Sequence, residues 1–452
     1  MNPTQLPQIE MLPTEALKPY ERNARTHSKK QISQIADSIR RFGFTNPVLI
    51  SDDNEIIAGH GRVAAARLLG IEAVPALRLS HLSAEERRAY VLADNKLAEN
   101  AGWDAEILAI ELQALTELGF DLELTGFSLA EIDFTIEQAQ SGATAADPVA
   151  DIIPEMDPVP VSRTGDLWLL GEHCLLCGDA RSADDVALLM GGLSADLIFT
   201  DPPYNVKIDG NVGGLGSIKH REFAFASGEM SSAQFTSFLQ ETLGNAAAVT
   251  KDGAIAFVCM DWRHMRELQD AGAAVFSELK NLCVWNKSNG GMGTFYRSKH
   301  ELIFVYKVGT APHTNSFGLG ETGRYRTNVW DYAGISSLGA NRADTLVMHP
   351  TVKPVALVAD AIKDCSRRNE IVLDVFGGSG STLIAAASCG RRARLIEIDP
   401  LYCDTIIRRW QTYSGKIAIR SGTGQSFEDI AILRSIPPVS QQPRSTKQKV
   451  VS

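Results

Sequence analysis

The sequence predicts an α/β protein built from two α/β units, the smaller one first, joined by helices and a linker. Three observations predict it. Short apolar strands alternate with helical patterns before about residue 100 and again after about residue 164. A stretch rich in Pro, Asp and Ala, ATAADPVADIIPEMDPVPVSR, separates the two. In the second unit, two strands end in turns of unusual chemistry, one proline-rich and one glycine-rich. At 452 residues the chain is too long for one ordinary domain, and 44% hydrophobic with 22% charged residues suits a globular enzyme.

The first unit runs to about residue 100. Ser28 followed by Gln31 is a helix-start pattern. Ile32, Ile35, Ile39 and Phe42 then recur at helical spacing until Gly43. NPVLIS and EIIAGH read as strands around the turn Asp52-Asp53-Asn54, GRVAAARLLG as a short helix, and VPALRL as another strand. SAEERRAYVLADNKLAEN and DAEILAIELQALTELG are helical, and residues 101–145 form the connector; no helix-turn-helix is evident in 83–140, so these helices are expected to brace the unit, with DNA contacts by ERRAYVLADNKLAEN as the alternative. A linker spans 146–163, the second unit 164–425, and a tail expected to be disordered 426–452, ending in the polar PPVSQQPRSTKQKVVS.

A net charge of −10 argues against a protein that coats nucleic acid indiscriminately, but not against a local basic face. Arg324, Arg326 and Arg342 form one cluster and Arg391, Arg392 and Arg394 another; each reads as a DNA contact or as a solvated surface. No apolar run approaches the roughly 20 residues that span a bilayer, and MNPTQLPQIEMLP lacks a secretory pattern. A cytoplasmic location is expected. Seven cysteines give no disulfide framework, and Cys174 and Cys177 lack a second pair, so buried thiols are preferred to a metal site.

The sharpest motif is ADLIFTDPPYN. Leu197 to Thr200 form a strand, and Asp201, Pro202, Pro203 and Tyr204 follow at its C-terminal end, where open α/β sheets bind ligands. Prolines remove amide donors and leave carbonyls and a carboxylate as acceptors. Acceptors gripping both hydrogens of an exocyclic base amine favour a pyramidal nitrogen and stabilise the charge that develops on it. The Tyr204 ring can stack on a base swung out of the duplex. In EIVLDVFGGSGSTLIAAASCGRRARLIEIDP, the strand through Asp374 meets Phe376, Gly377, Gly378, Ser379 and Gly380, and Glu397 follows twenty positions after Gly377. Glycines let backbone approach a nucleotide, and an acid at that distance accepts ribose hydroxyls. Alone, this second motif also fits a nicotinamide enzyme or a structural turn.

Together, DPPY preceding the glycine loop resembles the β-class DNA amino-methyltransferases. That resemblance implies a Rossmann-like seven-stranded sheet with the catalytic half ahead of the cofactor half, and S-adenosylmethionine as cofactor. It also implies double-stranded DNA as partner, in the setting of restriction–modification, and leaves a homodimer open. By resemblance, Thr351, Lys353 and Pro354 lie near the methionine end of the cofactor. Phe376 to Gly380 cradle its methionine part, Glu397 takes the ribose, and Asp179 lies near the adenine. Asp399 and Pro400 follow the family pattern. Asp at the head of DPPY favours adenine N6, with cytosine N4 as the alternative. The segment 288–345 is expected to read DNA sequence, and the loop NVKIDGNVGGLGSIKHREF to close over the base.

EIIAGHGRVAAARLLG resembles the nucleotide-binding box of the ParB/sulfiredoxin superfamily, with Gly59, His60, Gly61 and Arg62 at the matching positions. There a helix N-terminus and a basic side chain bind phosphate. The box lacks the cysteine of sulfiredoxins. A nucleoside triphosphate ligand, a docking role and a nuclease or phosphotransfer activity stay open. A reading from another class also stands: a nucleotide-switched DNA-binding adaptor with a non-catalytic methyltransferase half.

Overall fold

The computed structural model describes residues 8–140, 150–154, 156–206, 228–288, 295–317, 326–333 and 352–435, divided between two compact units, Met1–Gly142 and Ala143–Ser452.

The first unit is a four-stranded sheet with helices. Strands β1 (Ile9–Pro13), β2 (Val48–Ile50), β3 (Ile56–Ala58) and β4 (Ala73–Arg78) run in the order β1-β4-β2-β3. Strand β1, hidden in sequence by the prolines at its flanks, pairs antiparallel with β4. Helix α1 (Lys29–Phe42) is capped by Ser28, whose hydroxyl accepts from Gln31 N, and it stops at Gly43, whose positive φ of 83° lets its N–H reach Ile39 O. Helix α2 is His60–Leu68, and Val48, Ile50, Ile56, Val63 and Val74 close the core beneath it. Helix α3 (Ala84–Glu99) starts with a full Ser83–Glu86 capping box. Helices α4 (Ala105–Glu117) and α5 (Leu129–Gln140) share a separate core of Leu112, Leu122, Ile132 and Ile136.

The second unit is a mixed sheet of ten strands with helices on both faces. In chain order it comprises β5 (Leu167–Leu170), β6 (His173–Cys177), α6 (Ala183–Met190), β7 (Ala195–Thr200), α7 (Ser232–Ala248), β8 (Thr250–Met260) and α8 (Met265–Val275). Then come β9 (Glu278–Asn286), β10 (His300–Lys307), β11 (Val329–Asp331), α9 (Val355–Cys365), β12 (Ile371–Asp374), α10 (Ser381–Ser388), β13 (Arg392–Glu397), α11 (Pro400–Ser414), β14 (Ile419–Arg420) and α12 (Phe427–Ser435). Their order is β11-β9-β10-β8-β7-β12-β13-β6-β5-β14. The run from β9 to β6 is the expected seven-stranded Rossmann-like sheet, with β10 antiparallel to both neighbours; the three further strands, all short, extend its edges.

Strand β7 lies between β8 and β12 and is parallel to both, so the turns after β7 and β12 emerge side by side. Thr200 Oγ1 donates to Asp374 Oδ1 at 2.9 Å across that seam. Trp168 and Trp410 are among the largest fully buried side chains, and Trp168 meets Phe427 edge-on at 5.4 Å.

Two boundaries differ from expectation. The tail assigned from residue 426 begins as helix α12, with Phe427 and Ile430 buried in the sheet's core. Its Arg434 donates to the buried Asp166 at 2.5 Å. A helix of nine residues, about two and a half turns, carries too little period to be recognised without those partners. Residues 436–452 lie outside the described residues. The linker, too, is not free chain where it is described: Val161 and Ser162 donate backbone N–H groups to the Asp404 carboxylate at 2.6 and 2.9 Å.

Candidate active site

At the C-terminal end of β7 the chain turns through Asp201, Pro202, Pro203 and Tyr204. These four line a cleft whose opposite wall is the turn after β12. Tyr204 Oη donates to Asp201 Oδ1 at 2.6 Å, and the Lys353 ammonium reaches Asp201 Oδ2 at 2.5 Å and Tyr204 Oη at 3.1 Å. Glu301, on strand β10, completes the group: its Oε2 lies 3.0 Å from Lys353 Nζ, and its Oε1 accepts from Lys287. Lys287 in turn lies 4.7 Å from the centre of the Trp285 ring. Two ammonium groups and two carboxylates are thus balanced in one partly buried pocket.

The titration of these groups follows from that balance. Burial pushes Asp201 up, and the Lys353 ammonium pulls against it. Burial would also raise Glu301, but Lys353 and Lys287 hold it at about 2. Lys353 stays protonated: burial disfavours its charge, and the carboxylates of Asp201 and Glu301 more than compensate.

The opposite wall is bare backbone. A Cβ on Gly377 would come within 3.2 Å of Ile396 O, and Gly378 and Gly380 take φ values of 51° and 82°, which favour glycine. Gly380 is the N-cap of α10. Glu397, at the end of β13, accepts from Gly378 N at 2.7 Å and Asp399 N at 2.9 Å, so the acid and the glycine loop hold each other. Burial pushes both Glu397 and Asp374 up to about 7. Asp399 caps α11 with Pro400 behind it, which accounts for both residues structurally.

Of the residues expected at a cofactor, Asp179, Lys353, Asp374, Phe376, Gly377, Gly378, Ser379 and Glu397 line the cleft; Pro354 and Gly380 stand behind it, at the starts of α9 and α10. Asp179 is paired with Arg181 at 2.6 Å. Sequence reasoning missed Phe199, Phe238, Ile398 and Tyr402, which line the same cleft with ordinary core-type side chains, and it missed Glu301. The signal for Glu301 was present: a carboxylate in the apolar strand HELIFVYK needs a partner. The cleft fits an adenosyl-type sulfonium ligand. Its glycine wall admits a ligand where side chains would collide, and its acids sit where hydroxyls and a positive charge need acceptors.

Thr351, Arg324, Arg342, most of the loop after DPPY and, within 288–345, residues 289–294, 318–325 and 334–345 lie outside the described residues. Arg326 corrects its expectation as a DNA contact. Its guanidinium lies 2.9 Å from Asp364, 3.1 Å from Tyr332 Oη and 3.5 Å from Asp360, with Trp330 beneath, so its charge is used inside the fold. The second arginine cluster is no basic face either: Arg391 is buried and donates to Ser366 O and Cys389 O, and Arg394 donates to Glu172 O. Cys177 is buried and Cys174 half-buried in β6, and no metal-binding group of His, Cys, Asp or Glu occurs among the described residues. No helix among the described residues is long and apolar enough to cross a membrane.

In the first unit Gly59 has φ 100° and opens α2. His60 Nε2 accepts from Tyr20 N at 3.3 Å, and burial lowers its pKa, helped by His27. Arg62 donates to Asn46 O at 2.8 Å. Gly61 is needed for packing: a Cβ there would lie 3.0 Å from Ile35 Cδ1 and 3.1 Å from His27 Cε1.

Comparison with known proteins follows the two units. Residues 195–408 match the family model described as DNA methylase, 106–164 that of the ParB-methyltransferase HTH domain, and 2–96 that of the ParB N-terminal domain. The ParB-like nuclease domain-containing protein YnaK of Escherichia coli (strain K12) is 53% identical over 76 residues, 17% of this chain and 87% of that protein. DNA adenine methyltransferase YhdJ of the same organism is 27% identical over 241 residues, 48% of this chain and 76% of that protein. The crystal structure of the M1.HpyAVI–SAM complex is 20% identical, with a TM-score of 0.39, and the match covers 52% of this chain and 97% of that one. The match over 106–164 corrects the expectation that the helices after residue 83 include no helix-turn-helix. Helices α4 and α5 have a core of their own, apart from that of the sheet.

Proposed function

The chain belongs to the N6/N4 DNA methylase family, with ParB N-terminal and ParB-methyltransferase HTH domains ahead of the methylase half, and on that premise we propose that it methylates adenine N6 in double-stranded DNA by base flipping. It is an S-adenosylmethionine-dependent DNA methyltransferase; the choice of adenine is the proposal. The observation that carries it is the placement of the Asp201 carboxylate at the cleft facing the glycine loop.

S-adenosylmethionine supplies an electrophilic methyl group on a sulfonium. Phe376 to Ser379 and Glu397 would hold it, with Lys353 and Asp179 at its two ends. The reaction otherwise depends on the chain's own groups. Asp201 and the Pro202 carbonyl accept the two N–H bonds of the target amine, drawing its nitrogen towards a pyramidal geometry and stabilising the charge that grows on it. Tyr204 offers a ring for the flipped base to stack on, and its hydroxyl fixes the orientation of Asp201 through the 2.6 Å hydrogen bond. Lys353, itself held by Glu301, keeps that carboxylate in place between turnovers. Positioning and charge stabilisation supply the rate, with no metal required of these residues.

At the first unit we propose a nucleoside triphosphate, its phosphates at the N-terminus of α2 between Gly59 and Arg62. Adenine specificity draws support from the Asp that heads DPPY and from YhdJ, whose name describes an adenine enzyme.

The test is expression in a methylation-deficient bacterial host followed by single-molecule sequencing for modified bases. Modified adenine in a short consensus, absent with Asp201→Ala, supports the reading. Modified cytosine would move the target atom to N4. An unmodified genome with folded protein would favour a DNA-binding adaptor.

A further inference from the structure

The two walls of the cleft converge on residues that precede the first strand of the methylase sheet. Arg409 of α11 is 2% exposed. Its Nη1 donates to Ser379 O at 2.8 Å and reaches Ser379 Oγ and Ser381 Oγ at 3.4 Å, while its Nη2 donates to Ala150 O at 2.7 Å. The next residue, Asp151, accepts from Val355 N at 3.1 Å, two positions after Lys353. Ser381 Oγ closes the circuit by donating to Lys353 O at 2.9 Å. The glycine loop and the lysine stretch are therefore held to one another through Arg409, Ser381 and the Ala150–Asp151 pair. Eleven positions further on, Asp404 anchors Ser162.

We propose that Asp151 and Arg409 are positioning residues of the S-adenosylmethionine site, and that Ala150 and Asp151 belong to the frame behind its walls. This rests on the methyltransferase reading and goes beyond it by extending the cofactor site upstream of residue 164. The chemistry suits the role. A planar guanidinium directs donors two ways at once, to Ser379 O on one side and Ala150 O on the other, which a lysine ammonium cannot reproduce. The charge of Asp151 faces that buried guanidinium and favours its protonated form, although burial opposes it. Neither residue lines the cleft: Arg409 acts through Ser379, which does, and Asp151 through Val355, two positions after the lining Lys353.

The test uses the full chain with Asp151→Ala, Asp151→Asn and Arg409→Lys, and Asp157→Ala as control, because the exposed Asp157 makes, among the described residues, only an ion pair with Arg408 at 2.6 Å. S-adenosylmethionine binding is measured by calorimetry, thermal unfolding is followed without ligand, and methylation kinetics are run over cofactor concentration. Asp151→Ala and Arg409→Lys are expected to weaken cofactor binding tenfold or more and to raise its KM, with kcat at saturation within about threefold of the parent, a split that general loosening does not produce. Asp151→Asn keeps an acceptor for Val355 N–H and is expected to recover most of the affinity; Asp157→Ala should match the parent. If Arg409→Lys fails to fold, Asp151→Ala decides. Parental affinity in folded Asp151→Ala, or a loss of DNA binding by the same factor as cofactor binding, overturns the proposal. Calorimetry scores cofactor binding whether or not DNA becomes methylated, so an inactive parent protein defeats the methylation reading and still leaves this one decided.

Discussion

Lys353 Nζ lies 2.5 Å from Asp201 Oδ2, a pairing across 152 positions of sequence. The lysine is 4% exposed and has Glu301 on its other side, so it is the cation that lets two carboxylates share one pocket. Its removal should be felt in stability as well as in activity. Lys353→Met is expected to cost about 3–5 kcal/mol, the usual cost of leaving a buried charge without its partner. Adding Glu301→Gln should restore part of that loss. Urea denaturation of the parent, single and double variants measures both effects, and a single variant as stable as the parent would contradict the arrangement.

Tyr204 carries two separable functions. Its hydroxyl bonds Asp201, while its ring is the proposed stacking surface for the base. Tyr204→Phe should lower kcat about tenfold, on the order of one hydrogen bond, with DNA affinity nearly unchanged. Tyr204→Ala should also raise the KM for DNA, since stacking is worth about 1–3 kcal/mol per base. Steady-state kinetics on a duplex containing the consensus site separates the two.

Glu397 gives a pH dependence whose sign can be stated. Burial pushes its pKa to about 7, with Asp399 and Asp374 adding to the rise against the Gly378 and Asp399 N–H groups. The ionised carboxylate is the better acceptor for a hydroxyl. Cofactor affinity should therefore rise as pH increases from about 6 to 8 and level off above the pKa. Glu397→Gln should bind more weakly at pH 8 and lose most of that slope. A parent affinity that falls across this range would defeat the assignment.

What could be read from sequence follows the locality of each signal. DPPY and FGGSG are contiguous, and their spacing to strands and to Glu397 carries their chemistry, so the cleft's two walls were legible. For Glu301 only the need of a partner was legible; the partners, Lys287 and Lys353, come from other parts of the chain. Arg326 misled for the same reason: a guanidinium looks free until Asp364 and Asp360 are brought to it by α9. Ala150 and Asp151 sit in a stretch without period, which conceals contacts made through backbone and one carboxylate. Helix α12 is short, and its tie to Asp166 spans 268 positions.

Gly61 tests the first unit independently. Helices α1 and α2 meet at this residue, with Ile35 Cδ1 and His27 Cε1 at about the limit of approach to an added methyl. Gly61→Ala should destabilise the first unit by about 1–3 kcal/mol through overpacking, while S-adenosylmethionine binding by the second unit is unchanged. Hydrogen exchange resolved by segment reads both, and equal protection of α1 in the two proteins would refute the packing account.

The strand order of the large sheet has a consequence for the newborn chain. Strand β7 emerges from the ribosome long before β12, yet β12 is the neighbour that brings the glycine loop beside Asp201, and β6 waits longer still for β13. Asp166 receives Arg420 and Arg434 only when translation is almost finished. Non-local pairing of this kind delays closure. The ParB-like sheet can be complete while the methylase half is still being made, so a nascent chain carries its first unit folded ahead of any capacity to bind cofactor, and methyl transfer waits for synthesis to pass α12.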